Sequence, residues 1–142
     1  MYRPLKINKA LWKGDIMKKV LIVDDEEDAL KMLGKRLTVE GYFVITATNG
    51  KDAIALAKSQ HPDIIILDII MPGMEGGEVA AELKDHPSTR NIPVILLTAM
   101  LTKAEEKKYD SMVGGHIALA KPLDAEKLLE QMKILLDSTV VL

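Results

Sequence analysis

The chain has 142 residues, 48% of them hydrophobic, which suits one ordinary domain with a single core. It carries 19 lysine and arginine residues against 21 acidic residues, and this net charge of -2 gives no general attraction to nucleic acid or to an anionic membrane. The absence of cysteine excludes disulfides, thiolate metal sites and cysteine nucleophiles, and it is compatible with a reducing, cytoplasmic compartment. The longest stretch without acidic or basic side chains, 91–102, is shorter than the roughly 20 apolar residues that a membrane span needs.

The first residues of the chain precede any strand-like run and have two interpretations. They are basic and contain no apolar block of the kind found in a signal peptide. In the simpler interpretation translation naturally starts at Met17, so that 1–17 is an extension outside the domain. In the alternative these residues are an arm that docks on this domain or on a partner through Leu5, Ile7, Leu11 and Trp12.

Five short apolar runs predict strands. Most of them are continuously apolar, which is typical of strands covered by helices on both faces of a parallel sheet. An all-helical bundle is the competing interpretation, but runs of four or five aliphatic residues closed by polar residues are too short for helices. The runs are 20–23, 42–46, 64–67, 94–97 and 117–120.

Helical periodicity between these runs predicts five helices. The first carries a leucine stripe over 30–37 and ends at Gly41, a residue suited to the left-handed position after a helix. Weaker stripes at 53–57 and 79–83 predict the second and third helices, and the third is entered through a Gly76-Gly77 pair.

The last two predicted helices have stronger signals. A capping box of Thr102 and Glu105 predicts a fourth helix that runs to about Val113. Asp124 can cap the fifth, which carries an apolar stripe over 128–136. Alternation of five strands with five helices predicts an α/β fold with a doubly wound parallel sheet and helices on both faces.

Ligands of such a sheet collect outside the carboxyl ends of its strands, so the residues after each apolar run are the candidates for function. Four of the five runs are followed there by an acid, a hydroxyl or an ammonium: Asp24 and Asp25, Asp68, Thr98 and Lys121. Each has an ordinary structural explanation when taken alone. Asp25, for example, could cap the next helix, whose first turn favours acids because of the helix dipole.

Taken together, these residues favour a site. Three carboxylates in one crevice repel one another and raise at least one pKa unless a cation intervenes. Ligation by oxygen alone suits Mg²⁺ or Mn²⁺. Thr98 and Lys121 then have a use, because an anion bound at the metal needs further positive charge and hydrogen-bond donors. A phosphoryl group is the natural anion.

At these residues the sequence strongly resembles the receiver domain of two-component response regulators. Four motifs in the family's order carry the resemblance: VLIVDDEED, DIIILDIIMPGMEGGE, IPVILLTA and the dipeptide Lys121-Pro122. The resemblance covers 18–137 and leaves a short tail at 138–142. It implies a CheY-like, flavodoxin-like sheet with strand order 2-1-3-4-5, and a cis peptide bond before Pro122.

The resemblance also implies a role for each residue. Asp68 would take a phosphoryl group from the phosphohistidine of a histidine kinase or phosphotransfer protein. Asp24, Asp25, Asp68 and the backbone carbonyl of Ile70 would hold Mg²⁺, while Thr98 and Lys121 would contact the phosphoryl oxygens. We expect no turnover of an external substrate.

The implied readout is a shift of the face formed by the fourth helix, the fifth strand and the fifth helix, which downstream target proteins bind. Ala118 departs from the family here, because an aromatic residue usually stands at this position and turns inward on activation. We expect a monomer or weak dimer with no direct nucleic-acid binding. Only 138–142 follow the last predicted helix, so we expect no output domain in this chain, which is either a free-standing receiver or a receiver cut from a larger protein.

Three other functions share parts of this pattern. Haloacid-dehalogenase phosphatases need a second acid two residues after the nucleophile, where this chain has Ile70. In a flavodoxin-type mononucleotide binder, Asp24 and Asp25 would repel the phosphate. A nucleotide hydrolase would need a glycine-lysine phosphate loop, which the sequence lacks.

Overall fold

The computed structural model of the protein describes residues 17–69, 76–98, 112–113 and 116–140. Within these residues six strands form one sheet in the order β2-β1-β3-β4-β6-β5. Five of the strands are parallel, and β5 runs antiparallel to β6 at the edge. The strands are β1 (Lys19–Val23), β2 (Phe43–Ala47), β3 (Ile64–Asp68), β4 (Val94–Thr98), β5 (Met112–Val113) and β6 (His116–Ala120).

The predicted parallel sheet is therefore confirmed, with β6 as its fifth strand. The apolar runs locate these strands because most of their side chains are buried, although the edge strand β2 has two exposed residues. In β3 and β4 all five residues are buried, including the polar residues Asp68 and Thr98 that close them. Each strand extends at most one residue beyond its apolar run or is displaced by one residue.

Four helices lie within the described ranges. They are α1 (Glu27–Val39), α2 (Gly50–Gln60), α3 (Gly76–Asp85) and α4 (Ala125–Val140). Gly41 after α1 has a φ of 101°, as its predicted left-handed position requires. Asp124 caps α4 as predicted, since its Oδ1 accepts hydrogen bonds from the amides of Glu126 and Lys127. No helix in this part of the chain is long and apolar enough to span a membrane.

The sheet separates two apolar clusters because alternate residues of each strand point to opposite faces. One cluster packs α2 and α3 against Leu21, Val23, Ile65 and Leu67. The other packs α1 and α4 against Val20, Ile22, Ile64 and Ile66. Helices therefore pack on both faces of the sheet, and this packing fixes the positions of the carboxyl ends of the strands.

The structure differs from two sequence interpretations: the structural alternative that Asp25 caps α1, and the extent of the predicted fourth helix. Asp25 is not the N-cap of α1; that position is Glu26, which makes no side-chain capping bond. The predicted fourth helix falls mostly on residues 99–111, outside the described ranges, and its last two residues form β5 instead of helical turns. Met112 pairs with Ile117 and Val113 with His116, so backbone pairing with β6 determines their conformation.

Candidate functional site

The carboxyl ends of four adjacent strands bring the candidate residues to one edge of the sheet. Asp68 is the last residue of β3 and Thr98 the last of β4, while Asp24 and Lys121 directly follow β1 and β6. The chain leaves β1 toward β2 on one side and returns to β3 on the other. This reversal opens a crevice between Asp24 and Asp68, at the position where doubly wound sheets bind ligands.

Three carboxylates form an acidic cluster in this crevice. One oxygen from each of Asp24, Asp25 and Asp68 lies within 4.8 Å of those of the other two. Asp24 and Asp68 are only 5% and 6% exposed, whereas Asp25 faces solvent. Two buried carboxylates and one exposed carboxylate so close together need a nearby positive charge.

Lys121 supplies positive charge to both buried carboxylates. Its Nζ donates to Oδ2 of Asp68 at 3.2 Å and to Oδ2 of Asp24 at 3.4 Å. Burial alone lowers the pKa of the Lys121 ammonium, but the charges of Asp68 and Asp24 and their hydrogen bonds outweigh burial and raise this pKa above its ordinary value. Lys121 is therefore held charged between the two acids. The peptide bond to Pro122 is cis, as predicted.

Asp24 also shapes the backbone at the start of α1. Its Oδ1 accepts a hydrogen bond from the amide of Glu26 at 2.9 Å, while its other oxygen faces Lys121. Its own amide donates to the carbonyl of Ala47 at the end of β2. The Asp24 side chain thus also holds the turn that presents the acidic cluster.

Thr98 lies between the strands that carry Asp68 and Lys121. It is 1% exposed and is paired in register with Ala120 of β6. Its carbonyl accepts a hydrogen bond from the amide of Lys121, which ties the two candidate residues together through the backbone. Ile70, whose carbonyl was a predicted metal ligand, lies outside the described residues.

The acidic cluster fits Mg²⁺. Oxygens around this ion lie about 2.0 to 2.1 Å from it, so opposite ligands are about 4.2 Å apart. Carboxylate oxygens within 4.8 Å of one another therefore need only a small closure to share one ion. Asp25, at the exposed side of the cluster, leaves room for the water ligands that Mg²⁺ usually keeps.

Comparison with protein families agrees with this geometry. The family model described as the response regulator receiver domain matches residues 20–133. The chain belongs to this family. Proteins from several bacteria align over most of its length. The protein PilH of Pseudomonas aeruginosa is 37% identical over 122 residues, covering 84% of this chain and 98% of PilH.

The receiver is also similar to part of a longer protein and to a solved structure. The response regulator PleD of Caulobacter vibrioides is 42% identical over 118 residues, which cover 82% of this chain but only 26% of PleD. The structure of the chemotaxis response regulator CheY4 of Vibrio cholerae is 34% identical and superposes with a TM-score of 0.73, covering 84% of this chain and 99% of CheY4.

Two features of this receiver were not found by sequence reasoning. Gly76, at the start of α3, lies directly against the backbone of Asp68 and Ile69. A groove of about 470 Å³ runs between α1 and the start of α4, beside Asp24 and Lys121. Both depend on how distant segments pack. Only the Gly76-Gly77 dipeptide left a signal in the sequence.

Proposed function

We propose that this receiver takes a phosphoryl group onto Asp68 and so acts as the phosphoacceptor of a two-component signalling pathway. The observation that carries this proposal is the convergence of Asp24, Asp25, Asp68 and Lys121 on one crevice. A carboxylate nucleophile, a fixed ammonium and an all-oxygen cation site are the parts that phosphoryl transfer to an aspartate needs.

In the proposed reaction, an Oδ atom of Asp68 attacks the phosphorus of a phosphohistidine. A new P–O bond forms, the P–N bond breaks, and the donor imidazole leaves with the electrons of that bond. Lys121 Nζ, now 3.2 Å from Asp68, moves from the carboxylate to the oxygens of the transferred group. Thr98, at the neighbouring strand end, contacts a second of these oxygens.

Asp24, Asp25 and Asp68 would hold Mg²⁺, or Mn²⁺ in its place, together with the carbonyl of Ile70. When bound, the ion neutralises charge on the transferred phosphoryl group. Lys121 already screens the two buried carboxylates from each other, so the protein keeps the crevice formed. The Asp24 bond to the Glu26 amide orients one metal ligand from its own loop.

A histidine kinase or phosphotransfer protein is the proposed donor. The groove beside Asp24 and Lys121 has mainly apolar walls from α1 and from the segment that leads into α4, including the 74% exposed side chain of Met32. This surface offers a donor helix a contact next to the crevice.

The proposed readout is the face that includes β6 and α4, which a downstream target protein would bind. Ala118 in β6 is fully buried and cannot change rotamer, so this receiver would switch without an aromatic side chain there. We propose a cytoplasmic monomer or weak dimer that turns over no external substrate. The aligned region makes up 98% of PilH but only 26% of PleD, so similar receivers occur both nearly alone and as part of a longer protein.

Incubation with acetyl phosphate and MgCl₂, followed by intact-mass spectrometry, tests the proposal. We expect the wild type to gain one phosphoryl group, and the matched Asp68→Asn variant and an EDTA-treated sample to gain none. Equal labelling of wild type and variant would contradict the assignment of Asp68. Flavin absorbance, or turnover of a phosphatase substrate, would instead favour one of the other functions.

A further inference from the structure

The first residue of α3 packs closer to the β3 end than any residue with a side chain could. The amide of Gly76 donates a hydrogen bond to the carbonyl of Ile69 at 2.6 Å. A Cβ built on Gly76 would lie 2.5 Å from the carbonyl oxygen of Asp68 and 2.6 Å from Cα of Ile69. Glycine is needed here because of this close approach, since Gly76 begins a regular helix.

The contact cannot be relieved by rotation of a side chain. All the atoms nearest to such a Cβ belong to the backbone of Asp68 and Ile69. This backbone is held on its other side by β4, because the amide of Ile69 donates to the carbonyl of Leu97 and Asp68 pairs with Leu97. A Cβ at Gly76 must therefore push α3 away or displace the Asp68–Ile69 peptide.

The size of this displacement matters for the crevice. Separating the Cβ and the Asp68 oxygen from 2.5 Å to the 3.0 Å limit of real contacts requires a movement of about 0.5 Å. Reactive groups must be held to within about 0.5 Å, and an error of about 1 Å can cost about 100-fold in rate. Asp68 is also bonded to Lys121, so its displacement would disturb the ammonium that it shares with Asp24.

On the basis of the proposed role of Asp68, we propose that Gly76 is a positioning residue for the Asp68 carboxylate. The missing side chain lets the start of α3 rest directly on the Asp68–Ile69 peptide. The strand end is then held between α3 and β4, with its carboxylate beside Lys121 and Asp24.

The adjacent glycine provides a matched control. A Cβ on Gly77 would meet no atom within 4 Å, and Gly77 is exposed. Both glycines lie in the first turn of α3, so replacement by alanine changes helix propensity and the entropy of the unfolded chain in the same way. Any difference between Gly76→Ala and Gly77→Ala therefore reports the contact with Asp68 and Ile69.

The test compares the full-length wild type, Gly76→Ala and Gly77→Ala in labelling by acetyl phosphate with saturating MgCl₂, below the melting temperature of each protein. We expect Gly76→Ala to label about 10- to 100-fold more slowly. The loss should fall on the limiting rate and not on the half-saturating acetyl phosphate concentration. Gly77→Ala should label like the wild type. The proposal would be overturned if folded Gly76→Ala labelled as fast as the wild type, or if both variants lost the labelling rate equally.

Amide chemical shifts give a second readout that does not depend on labelling. Gly76→Ala should move the amide resonances of Asp68 and Ile69, and Gly77→Ala should leave them in place. If the wild type failed to label, the proposed function would fall while these shifts still tested the positioning.

If Gly76→Ala does not fold, the proposal is tested instead by amide chemical shifts of the wild-type protein during titration with MgCl₂. A larger amide shift at Gly76 than at Gly77 supports the proposal, and equal or absent shifts overturn it.

Discussion

Replacement of Lys121 by methionine should destabilise the protein strongly at neutral pH. The substitution keeps a long side chain but removes the ammonium that lies 3.2 Å from Asp68 and 3.4 Å from Asp24. At an effective dielectric constant of about 20, each of these ion pairs contributes about 5 kcal/mol of attraction before the cost of desolvation. Without Lys121 the two buried carboxylates lose the ammonium that they share.

The net loss is smaller than this attraction. Removing one partner of a fully buried ion pair costs about 3 to 5 kcal/mol. Because 27% of the Lys121 side chain is exposed, solvent screens part of the interaction. We expect the free energy of unfolding to fall by about 2 to 4 kcal/mol.

Urea unfolding of the wild type and Lys121→Met at pH 7 measures this loss. Lys35→Met is the matched control, because Lys35 is exposed on α1. MgCl₂ should stabilise Lys121→Met more than the wild type, since the ion would replace the missing charge. Binding at a concentration of 100 times Kd contributes about 2.7 kcal/mol. If Lys121→Met were as stable as Lys35→Met in the absence of MgCl₂, Lys121 would not be the charge that screens these acids.

Four further predictions concern pH, the metal and two local hydrogen bonds. The raised pKa of Lys121 contributes stability that is fully present below pH 10.5, the ordinary pKa of lysine, and is lost as the pH rises through the pKa of Lys121 in the folded protein. Urea unfolding across alkaline pH should show this loss in the wild type but not in Lys121→Met. Asp25→Ala should weaken Mg²⁺ binding about tenfold in an NMR titration and change unfolding by less than about 0.5 kcal/mol, because Asp25 is exposed. Asp124→Ala removes the cap of α4 and should cost about 1 kcal/mol in urea unfolding without changing labelling. Thr89→Val leaves the Leu83 carbonyl without a buried hydroxyl donor and should cost about 1 to 3 kcal/mol by the same measurement.

Each of these predictions has a contrary outcome. Equal alkaline loss in the wild type and Lys121→Met would assign the titration to another group. Unchanged Mg²⁺ affinity in Asp25→Ala would remove Asp25 from the ligand set. A labelling defect in Asp124→Ala would connect the α4 cap to the crevice. If Thr89→Val were as stable as the wild type, water would have replaced the lost hydroxyl donor.

The sequence predicted the parallel sheet and the convergence of Asp24, Asp25, Asp68 and Lys121 because both follow from local patterns. Strands buried on both faces are continuously apolar, so their ends are visible in the sequence to within one residue. Once the strands are parallel, the residues after them must meet at one edge of the sheet. No comparable local signal exists for β5, because its two residues are positioned by pairing with β6.

The details that sequence reasoning missed are tertiary contacts. Asp24 bonds both to the Glu26 amide and to Lys121, and this double role depends on the turn that follows β1. The close approach of Gly76 to Asp68 depends on how α3 packs on the sheet. A glycine in the sequence cannot by itself indicate whether it serves a turn, a positive φ or such an approach.

The location of the phosphoryl group on the labelled protein decides whether Asp68 is the phosphoacceptor. The wild type is labelled with acetyl phosphate and MgCl₂, the acyl phosphate is reduced with borohydride, and the modified residue is located by tandem mass spectrometry. We expect a single modified aspartate, Asp68, and no modification after Asp68→Asn. A label on another residue, or none on the folded wild type with Mg²⁺ present, would rule out Asp68 as the phosphoacceptor.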